Sequence, residues 1–451
     1  MFKMKTITLS LLALLLVMSF ASCASDTTSD LPLPSKDMKA YLQVKVTVEG
    51  SGDTRASRAT KGPQGGEDGD VREKGINKEN DVNSLTVLLY KSDKDDLSEA
   101  DATIDYVYTF TNLNKVTTSS GGNVTYTTVP REIDASIVGK NYHVIVIANA
   151  DDMTSRCKGK ISEVRDLQMS KVCTRDADIT NFSNFIMSSK KDATIDFTKE
   201  GSETNPYQVT VDIERLAARI DIIPNAEYNG TDKGYYYNVM DGTNVVGGFK
   251  LESVTPTKVM TKGEYLIKRV SSDAAVSTVT YYGEEEMNPT TKASTNYVVC
   301  PWTNIHTSTT LSNAEGPTSL YNVKETTSTS TTVGTASYIL DYVMENTTTD
   351  NKEDYSTGLI FKGKYYEPSE WDATSKQPKA GFAGAEKKYT YTLRHSDPSG
   401  SGTTADPMHF GVVRNNIYQV KVDGVEGKSK GIKLTIHVVP WAHYDHGEVI
   451  Y

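Results

Sequence analysis

Leu42-Gln43-Val44-Lys45-Val46-Thr47-Val48 sets an aliphatic residue at every second position with a polar residue between each pair. Side chains on an extended chain point alternately to opposite faces. The stretch therefore reads as a β-strand with one apolar and one polar face. Near the other end, Ile432-Lys433-Leu434-Thr435-Ile436-His437-Val438 repeats the pattern with the same period. Either segment suits one and the same groove, covering a sheet edge with its backbone and a core with its aliphatic face.

The chain between these ends carries the same kind of signal. Leu85–Tyr90 and Tyr142–Ala148 are short apolar runs of the kind found in buried strands. Val209, Val211 and Ile213 alternate and lead into a long strand reaching Ile223. Further strands are expected at Tyr235–Val239, Gly248–Val254, Ser277–Tyr282, Thr295–Cys300, Tyr338–Met344, Lys388–Leu393 and Asn416–Val422. Helical periodicity is nearly absent, with Lys160–Met169 the best short candidate. Many short strands separated by Gly, Asn and Ser predict an all-β chain of β-sandwiches with few short helices.

Two regions are poor in core residues. Ala56–Asp81 offers only Val71 and Ile76 as aliphatics and is expected to be exposed or mobile; Thr307–Ala336 reads as a Thr/Ser-rich surface excursion. Pro224-Asn225 marks the expected boundary between an N-terminal domain over 56–224 and a C-terminal domain over 225–430, followed by a terminal strand segment over 431–451.

The first residues read as an address label. Lys3 and Lys5 give a positive start, Leu9–Phe20 is apolar, and Ala21-Ser22 precede Cys23. This is the pattern of a secretory signal over 1–23 ending in a lipobox, with the thiol of Cys23 diacylated. Residues 24–55 then hold a flexible tether and the first strand. The expectation is an extracytoplasmic body, held by lipid at most.

Composition narrows the function classes. A formal net charge of -10 speaks against nucleic acid, whose phosphates call for a basic stripe. Beyond Cys23 there remain Cys157, Cys173 and Cys300. Cys157 and Cys173 are the plausible disulfide pair in an oxidising compartment, and three core-packed thiols are the other reading. Their spacing matches no metal site.

Catalytic patterns are missing. His443 and His446 lie three apart in a stretch expected to be extended, which sends them to opposite faces. A calcium loop opening at Asp93 would need glycine sixth and glutamate twelfth, where this chain has Ser98 and Ile104. Glu284-Glu285-Glu286 reads as a charged loop. No nucleophile elbow, phosphate loop or dinucleotide fingerprint is present. The expectation is a protein that is no enzyme and takes no cofactor or metal, although carboxylates that meet only in space leave no sequence signal.

Between the first strand and the body lies Ser51-Gly52-Asp53-Thr54-Arg55-Ala56-Ser57-Arg58, a basic site suited to a trypsin-like protease. A removable strand, a cut site and a tail of matching pattern together suggest assembly by strand addition, in which main-chain hydrogen bonds give affinity and side-chain pockets give specificity. The alternative is that both ends are ordinary strands of their own sandwich.

Gly411-Val412-Val413-Arg414-Asn415-Asn416-Ile417-Tyr418-Gln419-Val420, followed by Leu434-Thr435-Ile436-His437-Val438-Val439-Pro440-Trp441, resembles the C-terminal signature of fimbrillins, the subunits of Bacteroidales type V pili. The likeness is greatest to shaft subunits of the minor (short) fimbrium. It extends to the lipobox at Cys23, the Tyr41–Val48 strand, the Asn141–Asn149 strand and Ile213–Arg219, and is thin across 230–400.

The resemblance implies two tandem transthyretin-like β-sandwich domains, export, lipidation and passage to the outer membrane. It further implies that an arginine-specific protease cuts after Arg55, with Arg58 as substitute, and removes the strand bearing Leu42, Val44, Val46 and Val48. A neighbour's Ile432, Leu434, Ile436 and Val438, locked by Trp441, would then fill the groove. The implied partners are other copies of the chain, fimbrial accessory subunits, the maturation protease and a host or bacterial surface receptor. The implied role is a surface fimbrium in adhesion or biofilm.

Within the motif Val412-Val413-Arg414-Asn415-Asn416, the asparagines tolerate left-handed backbone and suit a tight entry into the next strand. Arg414 suits carbonyl or carboxylate partners. Other readings are an anchor or tip accessory subunit, or a glycan-binding surface lipoprotein. For the last, Tyr235-Tyr236-Tyr237 and Tyr365-Tyr366 are the candidate exposed aromatics.

Overall fold

The computed structural model describes residues 39–48, 73–74, 77–91, 102–117, 124–165, 167–175, 182–189, 192–198, 201–229, 231–232, 234–266, 311–312, 337–347, 356–394, 411–412 and 414–442. Its strands build two β-sandwich domains, each on a ten-stranded sheet.

The first domain contains β1 (Ala40–Val48), β2 (Leu85–Tyr90), β3 (Ile104–Phe110), β4 (Leu113–Thr117), β5 (Val124–Thr128), β6 (Arg131–Ile133), β7 (Asn141–Ala148), β8 (Met187–Ser189), β9 (Ala193–Asp196) and β10 (Tyr207–Arg215). Their order in the sheet is β3-β2-β7-β8-β10-β1-β5-β4, with β9 paired to β7 and β6 to β1. β2 is buried at every position and β7 at all but its first, as expected for apolar runs without alternation. Helix α1 (Ile161–Arg165) spans little more than one turn of the longer helical stretch expected at Lys160–Met169.

The second domain contains β11 (Ala217–Ile223), β12 (Gly234–Asp241), β13 (Asn244–Thr257), β14 (Tyr338–Met344), β15 (Gly358–Tyr366), β16 (Ala385–Thr392), β17 (Asn416–Glu426) and β18 (Gly431–Ala442). The order is β18-β17-β12-β13-β15-β16, and β11 joins β14 to β17. β13 pairs β15 across a bulge between Leu251 and Ser253. Gly363 permits this pairing, since a Cβ there would meet the Lys250 carbonyl oxygen at 1.9 Å.

The expected single strand Val209–Ile223 is in fact two. It breaks at Leu216, whose N–H bonds the Ile186 carbonyl at 2.9 Å. Ala217 packs in the first core and Ala218 in the second. The chain thus changes sheets ahead of Pro224. Apolar residues run through the break, and no Gly or Pro marks it, so the pattern gave no sign.

β5 and β15 are further strands that the alternation did not single out. The expected strands Ser277–Tyr282 and Thr295–Cys300, and nearly all of Thr307–Ala336, lie outside the described residues.

Candidate assembly site

β1 sits inside the first sheet rather than at its rim. On one side it runs parallel to β10, with Leu42 opposite Tyr207 and Val48 opposite Ile213. On the other it runs antiparallel to β5 over Lys45–Val48 and to β6 over Ala40–Leu42. Between those two stretches the Val44 N–H bonds Thr128 Oγ1 at 2.9 Å, and Gln43 Nε2 bonds the Thr128 carbonyl at 3.0 Å. Leu42, Val44, Val46 and Val48 have no exposed surface, whereas Lys45 on the opposite face is exposed. The period-two pattern of the sequence thus becomes one face in the core and one face outward.

The neighbours of β1 come from distant parts of the chain, 124–133 and 207–213; β10 is paired on its other side to β8 and β5 to β4, whereas β6, among the described residues, pairs β1 alone. Pulling β1 out would leave an apolar floor between two unpaired sheet edges. An empty slot of that kind invites another strand.

β18 occupies the rim of its own domain's sheet. It pairs antiparallel with β17 from Gly431 opposite Glu426 to Pro440 opposite Asn416. Leu434 and Ile436 are buried in the second core, and Ile432 packs against it. Val438 stands opposite Tyr418 in the ladder. On the far side of β18, Trp441 and Ala442 pair with the two-residue strand Glu73–Lys74. In this state both strands lie in their own domains' sheets, β1 with neighbours on two sides and β18 with a full-length neighbour on one.

The motif before β17 is a set of buried contacts. Arg414 directs its Nε to Glu345 at 3.2 Å, and its Nη2 reaches the other Glu345 oxygen at 3.4 Å. Nη2 also reaches the Glu264 carbonyl at 3.2 Å. The guanidinium thus takes both a carboxylate and a main-chain oxygen, in the forked manner peculiar to arginine. Asn415 adopts φ +57°, and Asn416 Nδ2 bonds the Arg414 carbonyl at 2.9 Å. Val412 is buried opposite Asn346.

A second buried polar cluster joins the domains, and the sequence reading missed it. Glu79 and Asn80, on the short 3-10 turn Asn77–Asn80, are completely buried. This corrects the expectation that all of Ala56–Asp81 is exposed. Composition showed too few aliphatics for a core, but a buried segment can be held by charges when each finds a partner.

Arg215, at the end of β10, donates Nε to the Glu79 carbonyl at 3.0 Å, Nη1 to Asn415 Oδ1 at 3.1 Å, and Nη2 to Asn80 Oδ1. Arg219, on β11, grips Asp221 through two bonds of 2.8 and 2.6 Å and reaches Glu79 at 3.3 Å. The Tyr342 hydroxyl donates to Glu79.

Burial pushes the Glu79 carboxyl above its ordinary value, against the downward pull of Arg219, Tyr342 and Arg215. Burial acts downward on Arg219 but is outweighed, first by Asp221, so this guanidinium stays charged. The two effects pull differently on one contact. The uncompensated burial falls on Glu79, because Arg219 spends its shorter bonds on Asp221. Nearby, Asp341 is likewise raised by burial, although Arg175 reaches it at 2.8 Å.

Several expected site residues lie outside the described residues: Cys23, Arg55, Arg58, Val413, Cys300, Asp93, Ser98, Glu284–Glu286, His443 and His446. Cys157 and Cys173 are free buried thiols, each pushed up to about 11 by burial. Tyr235, Tyr236, Tyr237, Tyr365 and Tyr366 are all buried. This corrects their reading as exposed aromatics for stacking sugars. No group of metal-binding side chains occurs among the described residues.

Residues 40–245 match the family model of the major fimbrial subunit protein, FimA. No curated protein matches the chain. Solved structures resemble it at low identity. A proposed cell adhesion protein of Parabacteroides distasonis is 14% identical, covering 89% of this chain and 97% of its own, with a TM-score of 0.44. The tip fimbrial protein Mfa3 of Porphyromonas gingivalis, truncated at its C-terminus, is 12% identical, covering 89% of this chain and 100% of its own, with a TM-score of 0.38. A fimbrial assembly protein of Parabacteroides distasonis is 12% identical, covering 89% and 99%, with a TM-score of 0.36.

Proposed function

We propose, with support from the match of residues 40–245 to the family model of the major fimbrial subunit protein, that this chain polymerises by strand exchange after a protease removes β1. It would reach the outer membrane as a lipoprotein anchored at Cys23, lose its leader by cleavage at Arg55 or Arg58, and join other copies in a surface fimbrium that supports adhesion or biofilm. Its role is structural rather than catalytic.

The observation that carries this reading is the placement of β1. It is a short strand with buried aliphatics at period two, seated between β10, which β8 pairs on its other side, and the paired strands β5 and β4. The chain that follows it contains both candidate arginines. β18 supplies the same period from a rim position, where its main chain has one full-length neighbour. Moving β18 of one subunit into the vacated slot of the next gives it two neighbours instead of one. The transfer also covers the floor that the leader left open, and these gains offset the ladder with β17 and the burial of Leu434 and Ile436 that the tail gives up in its own domain.

Deleting Gly431–Tyr451 tests the assignment. After protease treatment the truncated protein is expected to give monomers on gels run without boiling, where the full chain gives heat-resistant ladders. Its first domain should melt as in the full chain, since Leu434 and Ile436 belong to the second core. Ladders that persist without the tail would defeat the donor assignment.

A further inference from the structure

Two strands matter for assembly: β10, which walls the slot, and β17, which carries the tail strand. They are tied to each other at the domain junction. β10 pairs with β1 along Tyr207–Ile213 and ends at Arg215. Asn415 is the residue immediately ahead of β17, which pairs with β18 along most of its length. Arg215 Nη1 bonds Asn415 Oδ1 at 3.1 Å, and the Asn415 N–H bonds the Ala217 carbonyl at 2.8 Å. From below, the Asn77–Asn80 turn holds both sides: its Glu79 carbonyl and Asn80 amide take Arg215, and its Glu79 carboxylate takes Arg219 and Tyr342.

We propose that this buried cluster is the tension-bearing link of the subunit, fixing the slot of one domain to the tail strand of the other. This rests on the strand-exchange reading given above. In a filament, load would enter through a neighbour's tail seated against β10 and leave through the subunit's own tail beyond β17. The path between them runs through Leu216 into β11, which pairs β17 along Arg219–Ile223, and the bond of Arg215 to Asn415 braces it at the turn.

Apolar residues also cross the junction: Met260, Tyr265, Leu266 and Met344 of the second domain pack in the first core. Apolar contact is non-directional and tolerates sliding, whereas a set of bonds with fixed donor and acceptor positions holds one geometry. Burying charges adds little net stability, so their use here fits a demand for a unique orientation. The turn also anchors the chain downstream of the cut site, so processing at Arg55 leaves the junction tied.

The test uses two substitutions at one position. Asn415→Gly keeps the positive φ while removing the side-chain acceptor. Asn415→Asp keeps both a residue tolerant of that φ and an oxygen for Arg215.

In the unprocessed full chain, hydrogen exchange at the Leu216 and Asn415 amides is expected to rise at least about tenfold in Asn415→Gly. It should return to the wild-type rate in Asn415→Asp, with the β1 amides unchanged in both. Unaltered exchange in the glycine variant overturns the link. This measurement needs no polymer, so it decides the link even where strand exchange fails. In filaments pulled by force microscopy, the glycine variant should extend at lower force, and wild-type force would overturn the load-bearing role.

Discussion

Val46→Ala is the sharpest probe of a strand that is present before maturation and gone afterwards. Val46 is fully buried between β10 and β5, opposite Val211 and Tyr126. The substitution removes two methyl carbons from a site hemmed in on both sides, so the space cannot collapse readily. At about 0.8 kcal/mol per carbon plus a cavity contribution, the loss should be roughly 2–3 kcal/mol.

For a domain of this size that lowers the melting temperature of the unprocessed chain by about 4–12 °C, read by calorimetry. The same loss makes leader release roughly 30- to 150-fold more favourable, so in fully cleaved chains the leader should be displaced at correspondingly lower subunit concentration. Assembled filaments should melt as wild type, because position 46 is no longer in them. If filaments of the variant still contain residue 46 and melt lower by the same amount as the precursor, the strand is not removed and the reasoning fails.

Replacing both candidate arginines, Arg55→Ala with Arg58→Ala, should block maturation. N-terminal sequencing of surface material from that variant should find no chain starting at Ala56, and abundant product starting there would count against the site.

The junction also predicts a pH dependence. Glu79 has its folded value raised by burial, so the native state binds more protons than the unfolded one between the two values. Its contribution to stability therefore grows as pH falls from above the raised value toward the ordinary carboxyl range, and shrinks as pH rises. Denaturant midpoints compared between wild type and Glu79→Gln should show wild type gaining on the variant as pH drops from 7 toward 4.5. A wild type that loses ground over that window would refute the assigned direction.

The alternation in β1 and β18 was legible because a two-residue period depends only on the chain itself: it says which side chains share a face. The apolar runs that became β2 and β7 were legible for a similar reason, since strands covered on both faces need no alternation. Arg414 and the asparagines after it could be assigned to carboxylate, carbonyl and left-handed backbone from residue chemistry alone, and the structure places Arg414 on Glu345 and gives Asn415 its positive φ.

Tertiary structure alone decided who stands beside whom. The pattern of Leu42–Val48 gives no hint that its neighbours are 207–213 in parallel and 124–133 antiparallel, because backbone hydrogen bonds are identical for every residue type. Glu79 looked like one more charge in a polar stretch. Its burial depends on Arg219 and Tyr342, which come from elsewhere in the chain and form one cluster only after both domains have folded. The break at Leu216 was hidden for the converse reason. Apolar residues on both sides satisfy two different cores, and a continuous pattern cannot reveal that the core has changed.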